Sequence, residues 1–188
     1  MKAPTVALLL RIVIDANVLA YAALSRLVLA LAAEERLIVP FWSAQILEET
    51  RRTIAVKLKH GEAYAAARLA EIVGGFPDAL QADLEPLIAQ CTNDEKDRHV
   101  LAAAIKAEAP LILTFNDRHF APEHLSKWGI CAVYPEDFLL ELYAKNPSAV
   151  WRQLGLAADK KHMELDDLLR SYSPQLDRFK TALLAELP

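Results

Sequence analysis

A chain of 188 residues with 54% hydrophobic content has enough apolar material for one sizeable core, so it should fold unaided as one domain, or as one domain with a small appendage. Its 21 Lys and Arg against 25 Asp and Glu leave a net charge of -4, which excludes a global basic field and leaves only local patches for any nucleic-acid partner. Cys91 and Cys131 fit no zinc spacing and point to a reducing cytoplasm rather than a disulfide framework. The apolar stretch after Lys2 is interrupted by Arg11 and Asp15, and Arg26 breaks the next, so neither a signal peptide nor a membrane span is expected.

In chain order, strand and helix alternate. Leu8 to Ile14 reads as a buried strand, Asn17 to about Ala33 as an Ala/Leu-rich helix, and Leu37 to Val39 as a short strand. Ser43 is a plausible N-cap for a helix through about Lys59, ended by Gly61; another helix covers about Glu62 to Val73 and stops at Gly74-Gly75. Phe76-Pro77-Asp78 leads through a loose segment around Leu84 to Ile88. A helix starts near Asp94 and runs to Glu108, where Ala109-Pro110 stops it. Strands at Leu111 to Phe115 and Cys131 to Val133 follow, then a helix at Glu136 to Tyr143. This is an α/β chain of βαβ type with a parallel sheet. After Tyr143, Asn146-Pro147 and Ser173-Pro174 mark two helix starts with a shorter helix at Leu165 to Arg170 between them. The reading therefore divides the chain into an α/β domain over 1–143 and a helical extension over 144–188, too short for a core of its own, that docks on the domain or on another chain.

Carboxylates gather at the ends of the strands. Asp15 caps the apolar run Ile12-Val13-Ile14, and Asn116-Asp117 follow the strand that ends in Thr114-Phe115. In an open α/β sheet that edge is where ligands bind. Taken alone, Asp15, Asn116 and Asp117 could equally be turn residues, and Asp94 could be a helix N-cap. Asp97, however, falls inside the helical stripe of Val100, Leu101, Ala104 and Ile105 and should point at the sheet edge, where a carboxylate needs a partner. Glu48 and Glu49 flank the apolar face of Ile46, Leu47, Thr50, Ile54 and Leu58 on opposite sides, so helical geometry leaves the choice between them open. Several carboxylates held close repel unless a cation neutralises them, and all-oxygen ligation favours Mg²⁺ or Mn²⁺ over zinc. His60, His99, His119, His124 and His162 have no zinc-ligand spacing and read as surface or partly buried residues. A divalent ion in an open oxygen-lined site suits phosphodiester hydrolysis.

These residues resemble the PIN-domain nucleases, in particular VapC-type toxin ribonucleases of toxin–antitoxin pairs. The resemblance rests on Ile-Asp-Ala-Asn-Val-Leu at 14–19, Ile-Leu-Glu-Glu-Thr at 46–50, Asp-Glu-Lys-Asp-Arg-His-Val-Leu-Ala-Ala-Ala at 94–104 and Leu-Thr-Phe-Asn at 113–116. It is greatest to a longer subgroup that also has counterparts of Phe-Pro-Asp-Ala-Leu (76–80) and Pro-Glu-Asp-Phe-Leu (135–139), followed by a C-terminal helical extension. The resemblance implies a three-layer α/β/α sandwich with a short central parallel sheet. It implies that Asp15, Glu49 and Asp97 hold Mg²⁺ or Mn²⁺, with Glu48 in reserve. It also implies that Asn116, where an Asp is common, completes the catalytic set with a neutral oxygen. Asp94, Asp117, Asn17 and Thr114 are supporting candidates.

A metal-dependent endoribonuclease, an RNA substrate, a cognate antitoxin that blocks the site, and a homodimer are further implications of the same resemblance. Arg51 and Arg98 are the candidate phosphate contacts among Arg51, Arg52, Lys57, Lys59, Lys96, Arg98, Arg118 and Lys127, any of which could instead be solvated surface. Tyr21 and Phe41-Trp42 read as core. Two other readings stay open. One is a haloacid-dehalogenase-like phosphatase, whose pattern wants an Asp where Asn17 stands; the other is a catalytically weak PIN-like scaffold for RNA or protein.

Overall fold

A computed structural model describes residues 9–187; the expected strand start at Leu8 and the N-terminal Lys2 lie outside them. Ile12, Val13 and Ile14 are fully buried in β1 (Leu10–Ile14), because a parallel strand covered on both faces carries apolar side chains on both. β1 pairs in parallel with β2 (Ile38–Ser43) on one side and β4 (Leu111–Leu113) on the other. β3 (Leu80–Gln81) and β5 (Cys131–Val133) complete a parallel sheet in the order β3-β2-β1-β4-β5. The winding reverses between β1 and β4, and this switch point opens a crevice at the strands' carboxyl ends.

The connections form the outer layers of an α/β/α sandwich. α1 (Ala16–Leu19) and α2 (Ala22–Ala33) link β1 to β2; α3 (Ala44–Arg52), a π-helical turn (Thr53–Lys57) and α4 (Glu62–Gly75) lead towards β3. α5 (Glu85–Ile88) and α6 (Arg98–Lys106) precede β4, and α7 (Pro122–Leu125) precedes β5. Right-handed crossovers place the helices before β3 and those after it on opposite faces of the sheet.

Several elements differ locally from expectation. The helix expected from Asn17 to Ala33 breaks at Ala20-Tyr21: α1 is tied to Asp15, whose carbonyl accepts from Val18 and Leu19, while α2 sets Leu24, Leu27, Val28 and Leu31 into the core. Tyr21 turns its ring onto Phe115, with centroids 5.8 Å apart. β2 runs past Val39 through Pro40 to Ser43; β3 pairs only with Trp42 and Ser43, so one side of β2 at Pro40 has no ladder to lose. The strand expected to reach Phe115 ends at Leu113, because Thr114 and Asn116 enter a side-chain network instead. The helix expected at Asp94 starts at Arg98, after a 3₁₀ turn over Glu95–Asp97.

α8 (Pro135–Lys145), α9 (Pro147–Lys161), α10 (Leu165–Arg170) and α11 (Asp177–Leu184) close the chain. Val150, Leu154, Leu169, Phe179 and Leu183 belong to the same buried cluster as Ile12 and Val13, so the core runs through residue 143 without a break. Polar ties reinforce it. Glu136 of α8 accepts from Arg178 N at 2.6 Å at the start of α11, where backbone N–H groups lack helical partners. Arg152 and Gln153 of α9 both reach Glu35 beyond α2, at 2.6 and 2.7 Å.

Candidate functional site

The cleft forms at the end of β1, where Asp15 has extended backbone and is only 3% exposed. Its Oδ1 accepts from Ala16 N at 2.6 Å, and its Oδ2 accepts from Thr114 Oγ1 at 2.6 Å and Asn17 Nδ2 at 2.7 Å. Thr114 in turn accepts from Asn17 Nδ2 at 3.1 Å and Asn116 N at 3.0 Å, and Asn17 Oδ1 accepts from Phe115 N at 3.1 Å. This network joins the ends of the two strands at the switch point and fixes one orientation of the Asp15 carboxylate. A carboxylate oxygen accepts about two bonds, so Oδ1 keeps a free lone pair. Burial pushes the Asp15 carboxyl above its ordinary value; the Thr114 and Ala16 bonds oppose that shift, and the charges of Asp97 and Glu49 add to it.

Ser43, at the end of β2, caps α3 by accepting from Ile46 N at 3.1 Å, and Glu49 follows on the cleft side. Glu49 Oε1 accepts from Gln45 at 3.1 Å, while Oε2 lies 3.5 Å from the buried His99 Nε2. Burial raises the Glu49 carboxyl, but His99, Gln45 and Arg52 more than offset it, and it sits below its ordinary value. Glu48 is exposed and turned to Arg51, which also pairs with Glu62. Thr50 is fully buried on the apolar face because its hydroxyl donates to Ile46 O at 2.8 Å.

Asp97 is the N-cap of α6, with its side chain 14% exposed and its Oδ2 2.6 Å from His119 Nδ1. Asp94 caps the preceding turn by accepting from Lys96 N at 3.1 Å. Ligand atoms of Asp94, Asp97 and His119 lie within 4.8 Å of one another, and Asp97 lines the cleft together with Asp15 and Glu49. Asp117 accepts from Arg118 N, and Arg98 donates to Asn93 O at 3.3 Å; neither lines the cleft.

The cleft has a volume of about 610 Å³. Asp15, Asn17, Glu49, Asp97 and Asn116 line it together with Arg52, Thr53, Val56, Lys57 and Lys96. Four segments far apart in sequence are thus brought together, while Glu48, Arg51, Arg98 and Asp117 stand outside the lining. The cations that do face the cleft are Arg52, Lys57 and Lys96, in place of the expected Arg51 and Arg98, and for Arg52 the sequence carries a signal. Arg52, Thr53 and Val56 follow Glu49 at three, four and seven positions and share its helix face, whereas Arg51, two positions on, turns away.

Residues 11–118 match the PIN domain family, a span that includes every residue lining the cleft. The chain belongs to the PIN-domain family. This PIN-domain chain is also 42% identical over 79 residues to "Putative ribonuclease VapC50" of Mycobacterium tuberculosis, a stretch covering 40% of this chain and 47% of that protein. It therefore spans about half the length of the curated relative it matches. No solved structure matches it. β5 and α8 to α11 lie beyond the matched family span.

PIN domains generally use divalent metal ions, and this donor set fits one. Asp15, Glu49, Asp97 and Asn116 line a common space, and the charges of Asp97 and Glu49 help push the Asp15 carboxyl towards its neutral form. A hard divalent cation relieves that repulsion. Among the described residues no helix is long and apolar enough to cross a membrane.

Proposed function

We propose that this PIN domain is a Mg²⁺- or Mn²⁺-dependent endoribonuclease acting as the toxin of a VapBC-type toxin–antitoxin pair in the cytoplasm. The observation that carries the reading is the convergence of Asp15, Glu49, Asp97 and Asn116 on one open cleft at the sheet's switch point. Asp15, Glu49 and Asp97 hold the cation, and Asn116 contributes a neutral oxygen. A bound divalent cation supplies neutralising charge and Lewis acidity towards a phosphodiester.

The chain's own groups do the rest. Thr114 and Asn17 keep the Asp15 carboxylate aimed, and the Thr114 bond favours its ionised form. Arg52, Lys57 and Lys96 put positive charge on the walls of an otherwise acidic cleft, where they attract phosphates of an RNA strand and set its path. The 42% identity to "Putative ribonuclease VapC50" supports RNA as the substrate and a cognate antitoxin as the partner. A homodimer completes the proposed assembly.

The decisive test compares RNA 5′ ends after induction of the wild type and of Asp15→Asn. New 5′ ends should appear with the wild type alone, and purified protein should lose cleavage in excess EDTA. Cleavage by folded Asp15→Asn at the wild-type rate, or unimpaired cleavage in EDTA, would reject the proposal.

A further inference from the structure

Beside the cleft lies a buried ring nitrogen without a hydrogen-bond partner among the described residues. His99, the second residue of α6, is 3% exposed, and its Nε2 has no hydrogen-bond partner among the described residues. The carboxylate in reach is Glu49, whose Oε2 stands 3.5 Å away, just beyond a formed bond. A polar atom left unpaired in the interior is unfavourable, so its persistence there calls for an explanation.

The three cleft carboxylates are held very differently. Asp15 is fixed by Ala16, Asn17 and Thr114, and Asp97 by His119 at 2.6 Å. Glu49 has a longer side chain, and among the described residues its one formed bond is an exposed contact with Gln45, one turn back on the same helix. That contact holds Oε1 along the surface of α3. It does nothing to aim the carboxylate at Asp15 and Asp97.

We infer that His99 is the positioning residue for Glu49, its Nε2–H drawing Oε2 inward and selecting the arrangement in which the carboxylate faces the other two acids. The inference rests on the reading of Glu49 as a cation ligand. A ligating carboxylate needs a donor for its remaining oxygen, and such outer partners set ligand orientation. An imidazole already buried and held by packing can act without further ordering, unlike a flexible surface side chain.

The test measures Mn²⁺ affinity by titration calorimetry on the full-length chain, with metal-free thermal melting alongside. His99→Leu should bind Mn²⁺ about 10–100-fold more weakly while remaining folded. His99→Gln, whose amide nitrogen reaches the place of Nε2, should recover most of the affinity. In a Glu49→Gln background, His99→Leu should add no further loss, because a residue acting through Glu49 has nothing left to act on. If His99→Leu does not fold, His99→Asn, too short to reach Oε2, takes its place.

Wild-type affinity in His99→Leu, equal losses with and without Glu49, or failure of His99→Gln to rescue would each overturn the inference. Asp15→Asn and Glu49→Gln separate the two levels of the reading. If they weaken Mn²⁺ binding and His99→Leu does not, only the role of His99 falls; if neither weakens it, the metal site falls and takes His99 with it.

Discussion

Thr114→Val tests the network that aims Asp15. Thr114 is fully buried, and valine has nearly its shape, so the substitution opens no cavity and the effect is one of hydrogen bonding. Its hydroxyl donates to Asp15 Oδ2 at 2.6 Å, a bond to a charged group whose loss is worth about 1.5–3 kcal/mol. It also accepts from Asn116 N at 3.0 Å, and leaving that half-buried donor unpaired adds roughly 1 kcal/mol. Asn17 keeps Asp15 as a partner and adds little. The sum is about 3 kcal/mol, equivalent to a fall in Tm of roughly 6–12 °C for a domain of this size.

The same substitution should leave a signature in pH. Burial raises the Asp15 carboxyl above its ordinary 3.8, so the stability it confers is complete below that value and is lost as pH rises through the folded value. Removing Thr114, which favours the ionised form, raises the folded value further, and the loss in the variant continues to higher pH. The two proteins should therefore differ most at neutral pH and converge as pH falls towards 3.8. Thermal melting of both in EDTA, from pH 7 downward, provides the measurement. Equal Tm at pH 7, or a gap that does not narrow with acid, would refute the reasoning.

Two further outcomes follow from the arrangement of charge and core. On an Asp15→Asn background, Arg52→Ala and Lys57→Ala should each weaken RNA binding and lower the slope of log affinity against log salt by about 0.7, whereas Arg51→Ala, already paired to Glu48 and Glu62, should change it little. An equal loss from Arg51→Ala in a salt titration would contradict that assignment of the cleft walls. Phe179→Ala should destabilise the protein by about 3–5 kcal/mol in urea unfolding, because Phe179 is fully buried in the core shared by α11 and β1. A loss below about 1 kcal/mol would mean that α11 packs only loosely on that core.

Much of the architecture could be read from local pattern. Ile12-Val13-Ile14 ending in Asp15 identified a buried parallel strand with a polar residue at the ligand edge, because a run of β-branched residues has few other places in a fold. Ser43, Asn146-Pro147 and Ser173-Pro174 marked helix entries through chemistry confined to a single turn. Two-residue β3 left no legible trace, since a pairing that short has no periodicity.

The sequence by itself determined the longer strands and helices and which carboxylates stand at strand ends, because those properties depend on neighbours a few residues apart. Tertiary structure alone decided the use of each polar group. It split the helix after Asp15, turned Arg51 to Glu48 and Glu62, and set Arg52 and Lys57 on the cleft. It also placed His119 on Asp97 and His99 beside Glu49, contacts with no signature in spacing. A side chain's partner across the sheet depends on which elements pack together, and that is settled only when the whole core closes.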